Sequence, residues 1–429
     1  MNRPLIMMLS GALLAGASVS CAQAGASPAA ELPLGEQARV FPGASDIRVQ
    51  RAADGRITLS GKLDGVAFAA KLPAVWNKST LLYAHGYVQP TSSEPDPAQT
   101  VESAFLNTPL NQGYAVAASA YRKTGYAVNS GIERTARLKA FMDTLGSVRA
   151  YAVGHSMGGN IVVGLVEKFP NAFVGALSLC GVTGGWYEEQ RYLTDFRLIY
   201  DVLTRNTPYA LPGSGNILEP HPGLTVEAVQ KSVGNLFASA ARNATGPEAQ
   251  LVGAVAGFAG AHPDPVSFVT ALAGSAYGLT DSLATTGGNA YSNVGKRYQS
   301  RDPRFAGLEA RVNSGVERLQ ADARAADYLR ANYSPMGRFT AKVLSVHNTI
   351  DPLVPYEHAA IFRRTVSAAE NLDNLVQQTV DPLPWQQASV TNSGHCHFSK
   401  REHDIAWETL RLWTEHGVKP QDGKNITAK

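Results

Sequence analysis

From residue 47 onward, apolar and polar side chains alternate along the chain. Ile47-Arg-Val-Gln50, Arg56-Ile-Thr-Leu-Ser60 and Val66-Ala-Phe-Ala-Ala70 keep a period of two, and Asp54-Gly55 and Asp64-Gly65 stand between them. That pattern predicts antiparallel strands joined by hairpin turns. Further on, the strands become continuous apolar runs at Thr80–Ala84, Tyr114–Ser119, Val148–Val153, Phe173–Leu179 and Lys342–His347, with Ala388–Asn392 as the last. Between and after them the spacing turns helical, over Ile132–Leu145, from Glu357, and from about Arg401 to His416, where Ile405, Ala406, Leu410 and Trp413 share a face. Strands without a polar face, alternating with helices, predict an α/β class: a doubly wound, mostly parallel sheet after an antiparallel start.

The alternation stops after Cys180. Helix-like segments around Leu193–Thr204, Val226–Ala241, Pro265–Leu283 and Leu308–Ala331 follow, broken by Gly and Pro clusters. With no linker on either side, residues 181–340 read as a large helical cap inserted between core strands, not as a separate domain. The core then comprises residues 44–180 and 341–417, with a tail at 418–429.

The junction after Val148–Val153 concentrates the chemistry. Gly154-His155-Ser156-Met157-Gly158 lies between that strand and a helix in which Ile161, Val162, Leu165 and Val166 recur at helical spacing. A G-x-S-x-G sequence in this context is a nucleophile elbow. Small residues two places either side of the serine make room for a strained turn. The helix start offers free N–H groups to a developing oxyanion.

Composition bounds the reading. The 429 residues are 44% hydrophobic and 17% charged with a formal charge of +3, so a large core is available and nothing favours a nucleic acid or other polyanion as partner. Arg3, an apolar run from Leu5 to Val19 and Ala22-Gln23-Ala24 read as a signal peptide over residues 1–24, which implies a secreted or periplasmic protein. Cys21 offers a rival reading as a lipid anchor, but Ser18 stands where such a motif has Leu. Residues 25–43, rich in Ala, Pro and Gly, read as a tether, and no later segment is apolar enough to span a bilayer.

A serine nucleophile needs a base, and the base needs a group to orient it. Both should lie at the ends of later strands, in the order acid then histidine. Asp351, after the Lys342–His347 strand, is the candidate acid. His395 in Ser393-Gly-His-Cys-His-Phe398 is the candidate base, preferred to His397 because the preceding Gly allows a tight turn. His347, His358 and His403 read as structural or surface histidines. The oxyanion donors are expected to be the N–H groups of Met157 and of Tyr87 in His85-Gly86-Tyr87, after the Thr80–Ala84 strand.

Taken in order, these four motifs resemble the α/β-hydrolase superfamily from about Ile47 to Gly417, excluding the insertion. The resemblance implies an α/β-hydrolase fold with a Ser156, Asp351, His395 triad. A Gly-His-Cys sequence at the histidine, with a large lid before the acid strand, is loosely similar to the tannase and feruloyl esterase group. That group has Cys directly before the nucleophile, where this chain has His155.

The expectation is a secreted serine esterase acting on a small-molecule ester, with aromatic esters the kind that the looser resemblance implies, without a cofactor. An amidase or peptidase with the same triad, or a non-catalytic binding protein on the same fold, are the alternatives. Trp186, Tyr187 and Tyr192 either line a substrate pocket or form the core of the cap. His395-Cys396-His397 lacks the spacing of a metal site, and none is expected. Once a signal peptide is removed, Cys180 and Cys396 remain, and a disulfide between them is expected over the alternative of two buried thiols.

Overall fold

A computed structural model describes residues 33–332, 334–381 and 394–427. The expected signal peptide, Cys21 and the expected strand Ala388–Asn392 lie outside the described residues. Nine strands form one sheet: β1 (Ala44–Arg51), β2 (Ile57–Leu63), β3 (Val66–Leu72), β4 (Ser79–Ala84), β5 (Ala115–Ser119), β6 (Arg149–His155), β7 (Gly175–Leu179), β8 (Lys342–Asn348) and β9 (Leu375–Val380). Their order is β1-β2-β3-β5-β4-β6-β7-β8-β9; β1 to β3 and the β3–β5 pair are antiparallel, and the remaining pairs are parallel. The half-exposed β1 and β2 carry the alternation; the inner strands β5 and β7 are buried at every position. That difference explains the switch from alternating to continuous apolar runs.

Helices follow the strands: α1 (Leu34–Val40), α2 (Pro97–Thr100), α3 (Asn107–Asn111), α4 (Val128–Thr144), α5 (Met157–Lys168), α6 (Trp186–Thr204), α7 (Val226–Arg242), α8 (Pro247–Ala259), α9 (Pro265–Thr286), α10 (Glu309–Gly315), α11 (Ala323–Ala331), α12 (Glu357–Ala368) and α13 (Lys400–His416). Helix α1 falls within the Ala- and Pro-rich stretch 25–43 and buries Ala38. At the other end, the chain after α13 runs beside β9, where Thr379 N–H bonds Lys424 O and Ile426 is buried.

Chain order and strand order diverge at β4. The chain passes from β4 outward to β5, then returns to place β6 on the other side of β4. A crevice opens where successive crossovers leave in opposite directions, at the carboxyl ends of the strands. Residues 85–87 leave β4 there, and Ser156 leaves β6 beside them.

Helices α6 to α9, between β7 and β8, bury Phe196, Ile199, Val233, Leu236, Phe268 and Leu272 in an apolar core of their own. Helix α8 had not stood out in the sequence. The expected single helix over Leu308–Ala331 is instead two, α10 and α11, separated by extended chain. Asn293 and Asn289 take the backbone of that break: Asn293 accepts from Leu319 N–H at 2.7 Å and donates to Glu317 O at 2.9 Å, and Asn289 donates to Gln320 O at 2.8 Å. Those bonds compete with the helical ladder, and Asp322 then caps α11 by accepting from Arg324 and Ala325 N–H. Strand β9 was also not foreseen.

Candidate active site

Ser156 sits at φ 57° and ψ −121°, at the N-cap of α5. Such a conformation costs a non-glycine residue about 1–3 kcal/mol and persists only where the surroundings enforce it. Here they do. Ser156 N–H bonds Leu179 O at 3.0 Å, and its carbonyl accepts from Gly159 N–H at 2.9 Å. A Cβ at Gly154 would lie 2.4 Å from Gly158 O, and one at Gly158 would lie 2.0 Å from Ala84 O. Both positions must therefore be glycine for β4, β6 and α5 to approach so closely.

The side chains expected to work with Ser156 converge on it. His395 Nε2 lies 2.8 Å from Ser156 Oγ, and Nδ1 lies 2.8 Å from each carboxylate oxygen of Asp351. Asp351 Oδ1 also accepts from Leu353 N–H at 3.0 Å and Val354 N–H at 2.9 Å. Burial pushes the Asp351 carboxyl up, but the His395 ring and these donors outweigh it, so its pKa falls below the ordinary value. Burial pushes His395 down; the Asp351 carboxylate more than reverses this, so its pKa is raised. His397 instead presents its backbone carbonyl to Asn348 Nδ2 at 2.9 Å.

The loop after β4 lies against the nucleophile. A Cβ on Gly86 would be 3.3 Å from Ser156 Cβ. His85 braces this loop: its ring stacks on Tyr121 with centroids 3.8 Å apart, and Nδ1–H donates to Gly86 O at 2.8 Å. Met157 is the first residue of α5, where an N–H has no partner within the helix. The expected oxyanion donors, Tyr87 and Met157, thus flank Ser156.

Cys180 and Cys396 form a disulfide with Cα atoms 5.2 Å apart. Both sulfurs are therefore committed to each other, although they and His395 are close enough together to suggest a metal cluster. The bridge fastens the residue after His395 to the end of β7.

His155 has a role that sequence reasoning missed. His403 Nδ1–H donates to Ser399 O at 2.9 Å, so its Nε2 accepts, and His155 Nε2–H donates to it at 2.8 Å. His155 Nδ1 then accepts from Tyr83 O–H at 3.2 Å. Both rings are neutral in this chain, and burial lowers both pKa values, that of His155 strongly. His347 and His358 are likewise buried and partnered, His347 through Val354 O at 2.8 Å and His358 by accepting from Gly184 N–H at 3.0 Å.

Above Ser156, two adjoining chambers lie between the core and α6 and α9. Ser156, Tyr87, Trp186, Glu189, Tyr277 and Leu353 border the first, of about 50 Å³. The second, about 40 Å³, shares Tyr87, Trp186 and Glu189 and adds Tyr126, Gln190 and Asp281. Of the three expected pocket aromatics, Trp186 borders both chambers. Tyr192 lies by Asp351 and donates to Pro352 O at 3.2 Å. Tyr187 faces Tyr291 and Arg330.

A strained serine between a buried parallel strand and a helix, in a sheet of this order, decides the architecture. The chain has the α/β-hydrolase fold. No protein-family model matches the sequence, and no curated protein matches it. Among solved structures it is similar to an esterase from Aspergillus oryzae (12% identity, TM-score 0.44, 90% of this chain and 91% of that chain covered). It is also similar to feruloyl esterase B from Aspergillus oryzae (13% identity, TM-score 0.42, 90% and 92% covered). A third is the rice cell wall degrading esterase LipA from Xanthomonas oryzae (12% identity, TM-score 0.37, 89% and 94% covered). Among the described residues no helix is long and apolar enough to cross a membrane.

Proposed function

We propose that this α/β-hydrolase cleaves a carboxylic ester of small size through an acyl-enzyme on Ser156, and that it works outside the cytoplasm. One observation carries the reading: Ser156 Oγ, His395 and Asp351 form a continuous hydrogen-bonded line, each link 2.8 Å. His395 Nε2 takes the hydroxyl proton as Oγ attacks the ester carbonyl carbon. The Asp351 carboxylate orients the ring and stabilises its charge. The oxyanion is held by Met157 and Tyr87 N–H. His395 then protonates the departing alkoxide. Water, deprotonated by the same ring, releases the acid and restores the hydroxyl. The disulfide and the N-terminal leader motif support export to an oxidising compartment.

The test is a fluorophosphonate probe together with a matched pair of substrates, a 4-nitrophenyl ester and the corresponding anilide. Labelling is expected at Ser156 and absent from Ser156→Ala, with turnover of the ester only. Equal turnover of the anilide would favour amide hydrolysis, and neither labelling nor turnover would overturn the proposal.

A further inference from the structure

Helix α9 carries Gly274 and Gly278 in its interior, one turn apart and both bordering the chamber at Ser156. Glycine is the poorest helix former after proline, so each position calls for a local cause. At Gly274 the cause is packing: a Cβ would lie 2.7 Å from Leu353 Cδ1 and 3.5 Å from Leu193 Cδ2. At Gly278 it is not, because a Cβ there would meet only Leu193 Cδ1, at an ordinary contact distance of 4.0 Å. What a side chain at Gly278 would take is room in the two chambers, both of which it borders. Leu193 of α6 borders both as well, so these two residues stand at the partition between them.

Volume limits what can enter. The chamber at Ser156 encloses about 50 Å³ and its neighbour about 40 Å³. A benzene ring is held by a dry cavity of about 150 Å³, larger than both chambers together. On that scale the first chamber takes about two carbon atoms. Val182, Leu193, Leu353 and Val354 wall it with aliphatic surface. Position then identifies the part of the ester that belongs there. The departing oxygen must lie within reach of His395 Nε2, yet His395 borders neither chamber, while Ser156 borders the first. Resting on the esterase reading above, we propose that this chamber is a short acyl site, taking an ethanoyl or propanoyl group, and that Gly278 and Leu193 set the length at which the acyl chain stops. An aromatic acyl group, the kind that the looser resemblance implies, does not fit.

Two series of reagents test the site on the purified protein. The 4-nitrophenyl esters of ethanoate, propanoate, hexanoate and benzoate vary the acyl part against one leaving group. Methanesulfonyl and phenylmethanesulfonyl fluoride need no ester chemistry: Ser156 Oγ bonds the sulfur, fluoride departs, His395 takes the proton, and the gain in mass reports the rate. Each rate is divided by that reagent's hydrolysis rate in buffer. From propanoate to hexanoate kcat/KM should fall at least tenfold, with benzoate lower still, and methanesulfonyl fluoride should label at least tenfold faster than its phenyl analogue. Leu193→Ala, which joins the chambers, should raise the hexanoate-to-propanoate ratio on the order of tenfold. Gly278→Ala should lower the propanoate-to-ethanoate ratio several-fold. Hexanoate or benzoate cleaved as well as propanoate, or ratios that neither substitution moves, overturns the inference. Equal labelling by the two sulfonyl fluorides, or labelling by neither, overturns it as well. Selective labelling by methanesulfonyl fluoride in a protein that hydrolyses no ester leaves the short acyl site standing and overturns the esterase reading instead.

Discussion

Tyr87 donates its phenolic hydrogen to Asp281 Oδ2 at 2.8 Å, tying the loop that lies against Ser156 to helix α9. The same carboxylate oxygen accepts from Tyr126 N–H at 2.7 Å. One cap side chain thus holds two core loops beside the nucleophile. Asp281→Ala removes the acceptor from two part-buried donors, the Tyr87 hydroxyl and the Tyr126 N–H, at a combined cost of about 1–3 kcal/mol. Urea unfolding should register that loss, and kcat should fall more than KM rises, because the loop that offers Tyr87 N–H is freed. An unchanged kcat would mean that the loop is positioned without α9.

Asp351→Asn should lower kcat by on the order of 10⁴ while leaving fluorophosphonate labelling slow but detectable. The pH profile gives an independent check. Because the Asp351 carboxylate raises the His395 pKa, the acid limb of kcat/KM should have its midpoint above the ordinary histidine value of about 6.5. Activity is lost as pH falls through that midpoint, since the protonated ring is no longer a base. In Asp351→Asn the midpoint should move to lower pH.

The His155–His403 pair makes an opposite contribution to stability. Burial, followed by the neighbouring His403 and His395 charges, lowers the His155 pKa; burial also lowers that of His403 against the pull of Ser399 O and Asp404. In the unfolded chain both rings take up protons near pH 6.5, so the unfolded state binds more protons and stability declines as pH drops below that value. Replacing the pair with His155→Gln and His403→Gln should flatten this decline, measured as urea midpoints at pH 7.5 and 5.5. An equal decline in the variant would assign the acid sensitivity elsewhere.

The Cys180–Cys396 bridge closes a loop of 216 residues. In the chain-entropy picture such a loop contributes about 5.4 kcal/mol, less any native strain. The double variant Cys180→Ala, Cys396→Ala should therefore unfold at clearly lower denaturant. It should also lose kcat several-fold, because Cys396 directly follows His395 and its N–H reaches Asp351 Oδ2 at 3.3 Å. Thiol titration of the denatured, non-reduced mature protein should find none.

Much of this site is legible along the chain because its causes are local or topological. The elbow needs only a short stretch, two small residues flanking a strained serine, and the strand and helix on either side are written in their own periodicity. Helix α13 likewise announces itself through Ile405, Ala406, Leu410 and Trp413 at helical spacing; the reciprocal cap of Ser399 and Glu402 that starts it was not foreseen. Asp351 and His395 were within reach because parallel strands put their carboxyl ends on one edge, so chain order alone limits the partners of Ser156.

The chambers were not legible, and the reason is physical. Gln190 meets Ser282 across 92 residues, Tyr87 meets Asp281 across 194, and His155 meets His403 across 248. Periodicity reports which face of an element is buried, never what it is buried against. The break between α10 and α11 makes the same point, since Asn289 and Asn293 overrule a sequence with helical spacing by bonding its backbone from outside. Side-chain hydrogen bonds of this kind are chosen only after the cap has packed onto the sheet, because until then water satisfies the same donors and acceptors equally well.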